Sequence, residues 1–198
     1  MKRIFRIVRD LLLTALILLF VGLVAVRLEK PQEAMSGRAR IVDGDTLVLD
    51  GKRIRLVGID APELRQVCQR NGQDWPCGTV AKSYLSGLIG DAITTCAADG
   101  SDKYGRLLAV CTVGNRDLNA AMIAGGYAIA FGDYETEEAV ARQKRTGLWA
   151  GTFDVPRQWR QSHGGMDEMP HIPEGWLDAA ISRIGGWVDN AKSKVWND

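Results

Sequence analysis

Residues 41–63 read IVDGDTLVLDGKRIRLVGIDAPE, and the middle of that run decides the fold. Asp50-Gly51 stands between two aliphatic segments, and this dipeptide suits the two-residue turn whose twist matches a pair of antiparallel strands. With those two residues as the loop, Leu49 faces Lys52 and Thr46 faces Arg55. Asp45 then lies diagonal to Arg55, within cross-strand reach. A slip of one residue would change that detail, but the hairpin would still bring the two segments together.

Working outward, residues 79–89 (TVAKSYLSGLI) predict an amphipathic helix, with Val80, Tyr84 and Leu88 at helical spacing. Strands are expected at 91–96 and 107–113, joined by a Gly-rich turn around Asp99–Arg106. Asn115 reads as the cap of a helix through Leu118, Met122 and Ile123 that stops at Gly125-Gly126. Residues 134–145 predict another helix, ending at Gly147. Strands come first and dominate the core pattern, while helices fill between them. The expected class is mainly β with α, a small barrel with packed helices rather than a doubly wound sheet.

The ends of the chain differ from this centre. Leu11 to Val26 (LLLTALILLFVGLVAV) carries no charge, and Lys2, Arg3, Arg6 and Arg9 precede it, opposed only by Asp10. Such a segment leaves its basic end in the cytoplasm and sends the following chain outside. Residues 1–26 therefore read as a signal peptide or an N-terminal transmembrane anchor, and 27–36 (RLEKPQEAMS) as a polar linker. The apolar run is somewhat shorter than the roughly 20 residues that span a bilayer, and no clean Ala-x-Ala site precedes Arg27, so both fates stay open. Beyond residue 153 lies an extension in which Leu177, Ile181, Ile184 and Val188 recur at the spacing of a short amphipathic helix.

Charge and cysteine content narrow the function. The whole chain has net charge +1; residues 1–26 hold four bases and one acid, so the remainder is at −2. Global charge then gives no support to tight, sequence-independent binding of a polyanion, which would need a local basic site. Cys68, Cys77, Cys96 and Cys111 form no Cys-x-x-Cys pair, and His163 and His171 lie in the tail, which argues against zinc. Export and an even count favour disulfides. Of the three complete pairings, the expected one joins Cys68 to Cys77 around a Gly-containing excursion and Cys96 to Cys111 across two neighbouring strands.

Three clusters carry chemistry: VDGDT (42–46), RLVGIDAPE (55–63) and DKYGR (102–106). Carboxylates gathered at strand ends repel one another and need a cation or basic partners to stay ionised. Their hard oxygens suit calcium or magnesium, and Arg55 and Arg106 supply the forked donors that a phosphate accepts. Taken singly, Asp43-Gly44-Asp45 is an ordinary turn and each arginine an ordinary surface residue. The combination is what points to phosphate chemistry.

From Arg38 to Phe153 the chain resembles the staphylococcal nuclease, or thermonuclease-like, family. The resemblance rests on IVDGDT, IRLVGIDAPE, DKYGR, LNAAMIAGGYA and EEAVARQKRTGLW in that order. It implies an OB-fold five-stranded barrel with about three packed helices over residues 37–153. It also implies calcium-dependent hydrolysis of DNA or RNA phosphodiesters with low sequence specificity, typically leaving 3′-phosphates. By the same resemblance, Asp45, Asp60 and the backbone carbonyl of Ala61 are metal ligands, with Asp43 a weaker one. Glu63 activates or orients water, and Arg55 and Arg106 bind the phosphate and stabilise the transition state. Tyr104 matches a tyrosine near the bound nucleotide, and Lys103, Arg53 and Lys52 extend the basic contact.

There are departures from the family pattern. Ala61 stands where the best-known member has threonine, which leaves a carbonyl ligand intact. The segment between Cys68 and Cys77 has no counterpart in the simplest members, and its Trp75 either stacks on a base or packs inward. Phe131 stands about where a tyrosine is expected, leaving endonucleolytic against end-trimming action open. The alternative to an enzyme is a non-catalytic barrel that binds nucleic acid or protein. The expected location is extracytoplasmic: anchored in the inner membrane facing the periplasm, or periplasmic or secreted after cleavage, with no obligate protein partner.

Overall fold

Asp50 and Gly51 both take positive φ, 49° and 75°, and close the hairpin in the expected register. Strand β3 (Thr46–Leu49) pairs antiparallel with β4 (Lys52–Leu56), Leu49 opposite Lys52 and Thr46 opposite Arg55. One face carries Leu47 and Ile54 into the core; the other carries Thr46 and Arg55, which are also buried. Both faces of this hairpin are therefore covered, one by apolar packing and the other by polar contacts.

This computed structural model describes residues 6, 9, 11–21 and 33–165. They fall into two units, the first ending at Glu33 and the second starting at Ala34. In the first, residues 11–21 are helical and exposed. Among the described residues no helix is long and apolar enough to cross a membrane. Residues 22–26 of the apolar run, and the expected amphipathic helix near 177–188, lie outside the described residues.

The second unit is mainly β with α, the OB-type barrel with packed helices. Its main sheet adds β1 (Glu33–Gly37), β2 (Arg40–Ile41), β8 (Thr94–Ser101) and β9 (Leu107–Val113) to the hairpin, in the order β1-β8-β9-β4-β3-β2. The parallel β4–β9 pairing sets Arg55 beside Leu108. Between β8 and β9 Cys96 stands opposite Cys111, and the two are disulfide-bonded. Short strand β5 (Ile59–Asp60) pairs with β11 (Ile129–Ala130), and β6 (Cys68–Arg70) with β7 (Gln73–Trp75).

Helix α1 (Cys77–Ile89) covers the barrel with Ala81, Leu85 and Ile89, which meet Leu47, Leu49, Ile54 and Leu56 in one core. The expected stripe of Val80, Tyr84 and Leu88 is only half-buried; the true inner face lies one position further on. Helix α2 (Leu118–Ala124) is capped by Asp117, not Asn115: the Asp117 carboxylate accepts from the Ala120 N–H at 3.0 Å. Asn115 instead lies in the turn between β9 and β10 (Arg116–Asp117). Buried Asn119 pins α2 to the barrel, donating to the Val57 and Ala109 carbonyls at 2.8 and 3.2 Å and accepting from the Cys111 N–H at 3.1 Å. Helix α3 (Glu135–Lys144) follows close to its expected bounds.

Two boundaries shift. Residues 33–36, read as linker, belong to β1, which pairs with β8 at the sheet edge; Ala34 and Ser36 are exposed while Met35 is half-buried against the core. The first barrel-unit strand is thus earlier than residue 37. At the other end the chain continues past 153 into α4 (Pro156–Ser162), with proline at its first position.

Candidate active site

Asp45 and Arg55 come together because the hairpin register puts them diagonally across its open end. The turn before β3 is held by the Val42 and Asp43 N–H groups donating to the Thr46 carbonyl at 2.9 and 3.2 Å. Gly44 is required by close approach: a Cβ there would lie 2.7 Å from the Ala61 Cβ and 3.0 Å from the Ala81 Cβ. Its absence lets the turn seat against both α1 and the segment after β5, and so sets Asp45 beside Asp60.

One guanidinium joins the two carboxylates. Arg55 Nη1 donates to Asp45 Oδ1 at 3.0 Å and Nη2 to Asp60 Oδ1 at 3.1 Å. The Thr46 hydroxyl also donates to Asp45 Oδ1 at 3.0 Å, and the Ala61 N–H to Asp45 Oδ2 at 3.0 Å. Arg55 is 6% exposed, Asp45 5% and Asp60 0%, so these bonds operate at low dielectric.

The electrostatics follow from those partners. Burial pushes Asp45 up, but the Arg55 charge, the Ala61 N–H and the Thr46 hydroxyl together hold it below the usual carboxylate range. Asp60 has no such backbone donor; burial outweighs its bonds to Arg160, the Asp45 charge adds to it, and its pKa is raised. Asp43 is pushed up to about 7, first by burial and then by the negative charges of Asp45 and Glu63. The cluster is therefore short of positive charge despite its arginines. Among the described residues no three His, Cys, Asp or Glu side chains form a metal-holding group. Two carboxylates and a carbonyl, with water completing the shell, are nonetheless a donor set of the right hardness for a divalent cation.

The third cluster is built on one aspartate. The Asp102 carboxylate accepts from the Tyr104 and Arg106 N–H groups, both at 2.9 Å, and from Arg106 Nε at 2.7 Å. Those bonds and the Arg106 charge hold Asp102 below its ordinary value against its burial. Arg106 is 4% exposed and near enough for its charge to lower Asp45. Tyr104 is 42% exposed, its ring flanked by Lys103 Nζ at 5.2 Å and Arg106 Cζ at 5.7 Å. Arg53, two residues from Arg55 and on the same side of β4, is exposed, as are Lys52 and Lys103.

The sequence reading missed Arg160. From α4 its Nη1 donates to Asp60 Oδ1 at 2.9 Å and to Glu63 Oε1 at 3.0 Å, while Nη2 donates to Asp60 Oδ2 at 3.2 Å. It is 2% exposed, among the most deeply buried side chains of the unit. Gln66, also missed, secures the segment that leads to it. Its side chain donates to the Asp154 carbonyl at 2.7 Å and accepts from the Glu63 N–H at 3.2 Å, so one amide ties the Glu63 loop to the start of α4. Pro156 is a legible helix start, but nothing local in PRQWRQS announces a partner 100 residues away.

The Cys68–Cys77 segment is a disulfide-closed two-stranded ribbon turning at Asn71-Gly72. Trp75 packs with Cys68, Cys77, Ile129 and Leu148 in a second small core, and Arg70 lies 4.3 Å over its ring. That is the inward alternative. Phe131 is half-buried, and its N–H donates to the Gly58 carbonyl at 2.8 Å.

Comparison with known proteins agrees with this architecture. Residues 53–151 match the family model described as staphylococcal nuclease homologue. Over 165 residues the chain is 34% identical to an uncharacterized endonuclease of Haemophilus influenzae, covering 77% of this chain and 86% of that protein. The chain belongs to the staphylococcal nuclease family. Other members of this nuclease family among its relatives include an uncharacterized endonuclease of Escherichia coli, 33% identical over 128 residues, covering 59% of this chain and 78% of that protein. The succinoglycan biosynthesis protein ExoI of Rhizobium meliloti is 33% identical over 125 residues, covering 59% of this chain and 65% of that protein. The nuclease-family match ends at residue 151, so Arg160 lies beyond it.

Proposed function

We propose that this chain is a divalent-metal-dependent nuclease that hydrolyses DNA or RNA phosphodiesters with low sequence specificity, uses calcium and leaves 3′-phosphates. The observation that carries the reading is the buried Asp45–Arg55–Asp60 bridge with Glu63 at its edge. The Haemophilus influenzae and Escherichia coli relatives are also named as uncharacterized endonucleases.

In this reading Asp45, Asp60 and the Ala61 carbonyl hold the cation, with Asp43 beside them. When bound, the cation supplies positive charge to a phosphate oxygen and acidity to a coordinated water. Arg55 and Arg106 are already oriented by Asp45, Asp60 and Asp102, so each guanidinium meets a phosphate with little reorganisation, and its interaction strengthens as charge develops there. Glu63, whose side chain is 34% exposed, is the carboxylate open enough to accept a proton from an attacking water. Exposed Tyr104 offers a face to a base, and Lys103 and Arg53 extend the contact along the backbone. These arginines and lysines supply locally the positive charge that residues 27–198 lack overall.

The decisive assay is hydrolysis of fluorescent single-stranded DNA, with RNA in parallel, by the full chain with its disulfides intact. Calcium-supported cleavage, stopped by chelator and lost in Glu63→Ala, is expected. A folded protein that binds either polymer and cuts neither is instead a binding module. The two disulfides and the basic-then-apolar N-terminus support an extracytoplasmic location, anchored at the inner membrane or released by cleavage. Thiols found alkylatable in whole cells without reductant would contradict it.

A further inference from the structure

Helix α4 supplies a guanidinium where a site of this kind needs its acid–base carboxylate held still. A single Arg160 nitrogen, Nη1, bonds Asp60 Oδ1 and Glu63 Oε1 at once, at 2.9 and 3.0 Å, and Nη2 takes Asp60 Oδ2 at 3.2 Å. Arg55 approaches Asp60 Oδ1 from the hairpin side at 3.1 Å, so Asp60 is gripped from two directions. Glu63 is different. Its side chain is one-third exposed, its backbone N–H is held by Gln66, and its carboxylate is fixed on the Asp60 side by Arg160. A glutamate side chain that is one-third exposed has several rotamers open to it, and a misplacement of about 1 Å costs a reaction on the order of 100-fold.

We infer that Arg160 is a positioning residue of this site: it sets the distance between Glu63 and the cation-holding Asp60, which makes the segment after the matched family region a working part of the enzyme. The inference rests on the nuclease reading above. It assigns Arg160 no contact with substrate. Its effect passes through Glu63, and Gln66 passes the same restraint through the backbone by joining Glu63 N–H to the Asp154 carbonyl. Bidentate planarity matters here, because Nη2 on Asp60 Oδ2 fixes the direction in which Nη1 meets Glu63, and a lysine ammonium, a point donor, lacks that second arm.

A double-mutant cycle tests this with the full chain, disulfides intact, on single-stranded DNA with calcium. Arg160→Ala is expected to lower kcat on the order of 100-fold with KM changed less than about twofold. In the Glu63→Gln background the same substitution should lower kcat less than about threefold, because the group it positions is already disabled. Equal losses in both backgrounds would overturn the inference in favour of a purely structural role. A gain in activity would overturn it in favour of a plug that the metal displaces.

Arg160→Lys covers the case in which the alanine variant does not fold. It should keep the fold and recover only part of the rate, and full wild-type kcat in this variant would also count against the inference. Calcium affinity by calorimetry is the readout independent of turnover. Removing a guanidinium from Asp60 should tighten calcium about tenfold, and identical isotherms would overturn the contact. Wild-type protein that cuts nothing in this assay sinks the nuclease reading instead, and the calorimetric comparison then decides the Arg160 contact alone.

Discussion

Asp60 is reached by two arginines whose supports could hardly differ more. Arg55 stands on a hairpin five residues away, locked by Thr46 opposite it and by the Asp50-Gly51 turn. Arg160 comes from a seven-residue helix 100 positions along the chain, secured by one glutamine side chain and its own ion pairs. Short helices have little stability of their own, so α4 owes its place to tertiary contacts. The chemistry at the carboxylate is the same in both cases. What differs is sequence separation: the hairpin half of the site is local, and the Arg160 half depends on a contact across 100 residues.

Experiments that break the local half should have the largest effect. Arg55→Ala leaves Asp45 and Asp60 buried without their shared partner. It is expected to cost about 3–5 kcal/mol in urea unfolding, and cleavage should fall below detection. A stable variant would mean the hairpin tolerates an uncompensated pair and that the comparison is drawn wrongly. Next in size is Gly44→Ala, whose added methyl meets the Ala61 and Ala81 side chains; about 2 kcal/mol of destabilisation is expected from thermal unfolding.

The C-terminal half is probed more gently. Gln66→Ala strands the Asp154 carbonyl and the Glu63 N–H, and should cost about 1–2 kcal/mol. Hydrogen exchange should rise selectively across residues 154–165 while the β3–β4 hairpin stays protected. Uniform exchange would show that the two halves are not separable.

The smallest effect concerns Asp102, which lies outside both halves. Its carboxyl is held below the ordinary value when folded, so its contribution is present above the unfolded pKa and is lost as pH falls through the folded one. Asp102→Asn should therefore cost about 1 kcal/mol at pH 7, and the two proteins should converge in stability as pH falls through the folded pKa of Asp102, below the ordinary aspartate value. A constant gap at all pH values would assign the effect to packing.

The same local-against-distant division decides what was legible in the sequence. The hairpin register, the meeting of Asp45 with Arg55 and the DKYGR turn are short-range, and turn chemistry with strand alternation encodes them. The inner face of α1 was misjudged by one position because Val80 and Tyr84 are more hydrophobic than the small Ala81 that touches the barrel. Asp117 displaced Asn115 as a cap because two further residues of strand, β10, intervene before the helix. Strand β1 is hard to read because EAMSG has one large apolar side chain, Met35, so its alternation shows in burial and not in residue type. Arg160 and Gln66 left no legible trace: each is a buried polar side chain whose long-range partner, Asp60 for one and the Asp154 carbonyl for the other, lies 100 or 88 residues away.

Arg160 reaches Asp60 from an anchor at the Asp154 carbonyl, and that arrangement bears on which changes natural variation can tolerate. An α-helix turns about 100° per residue, so one residue added between anchor and arginine would swing the guanidinium to another face, whereas replacing exposed Gln158 or Ser162 would leave it in place. The exposed positions between Asp154 and Arg160 should therefore drift in composition, buried Pro156 excepted, while the stretch resists insertions and deletions, constrained as a ruler rather than as a word.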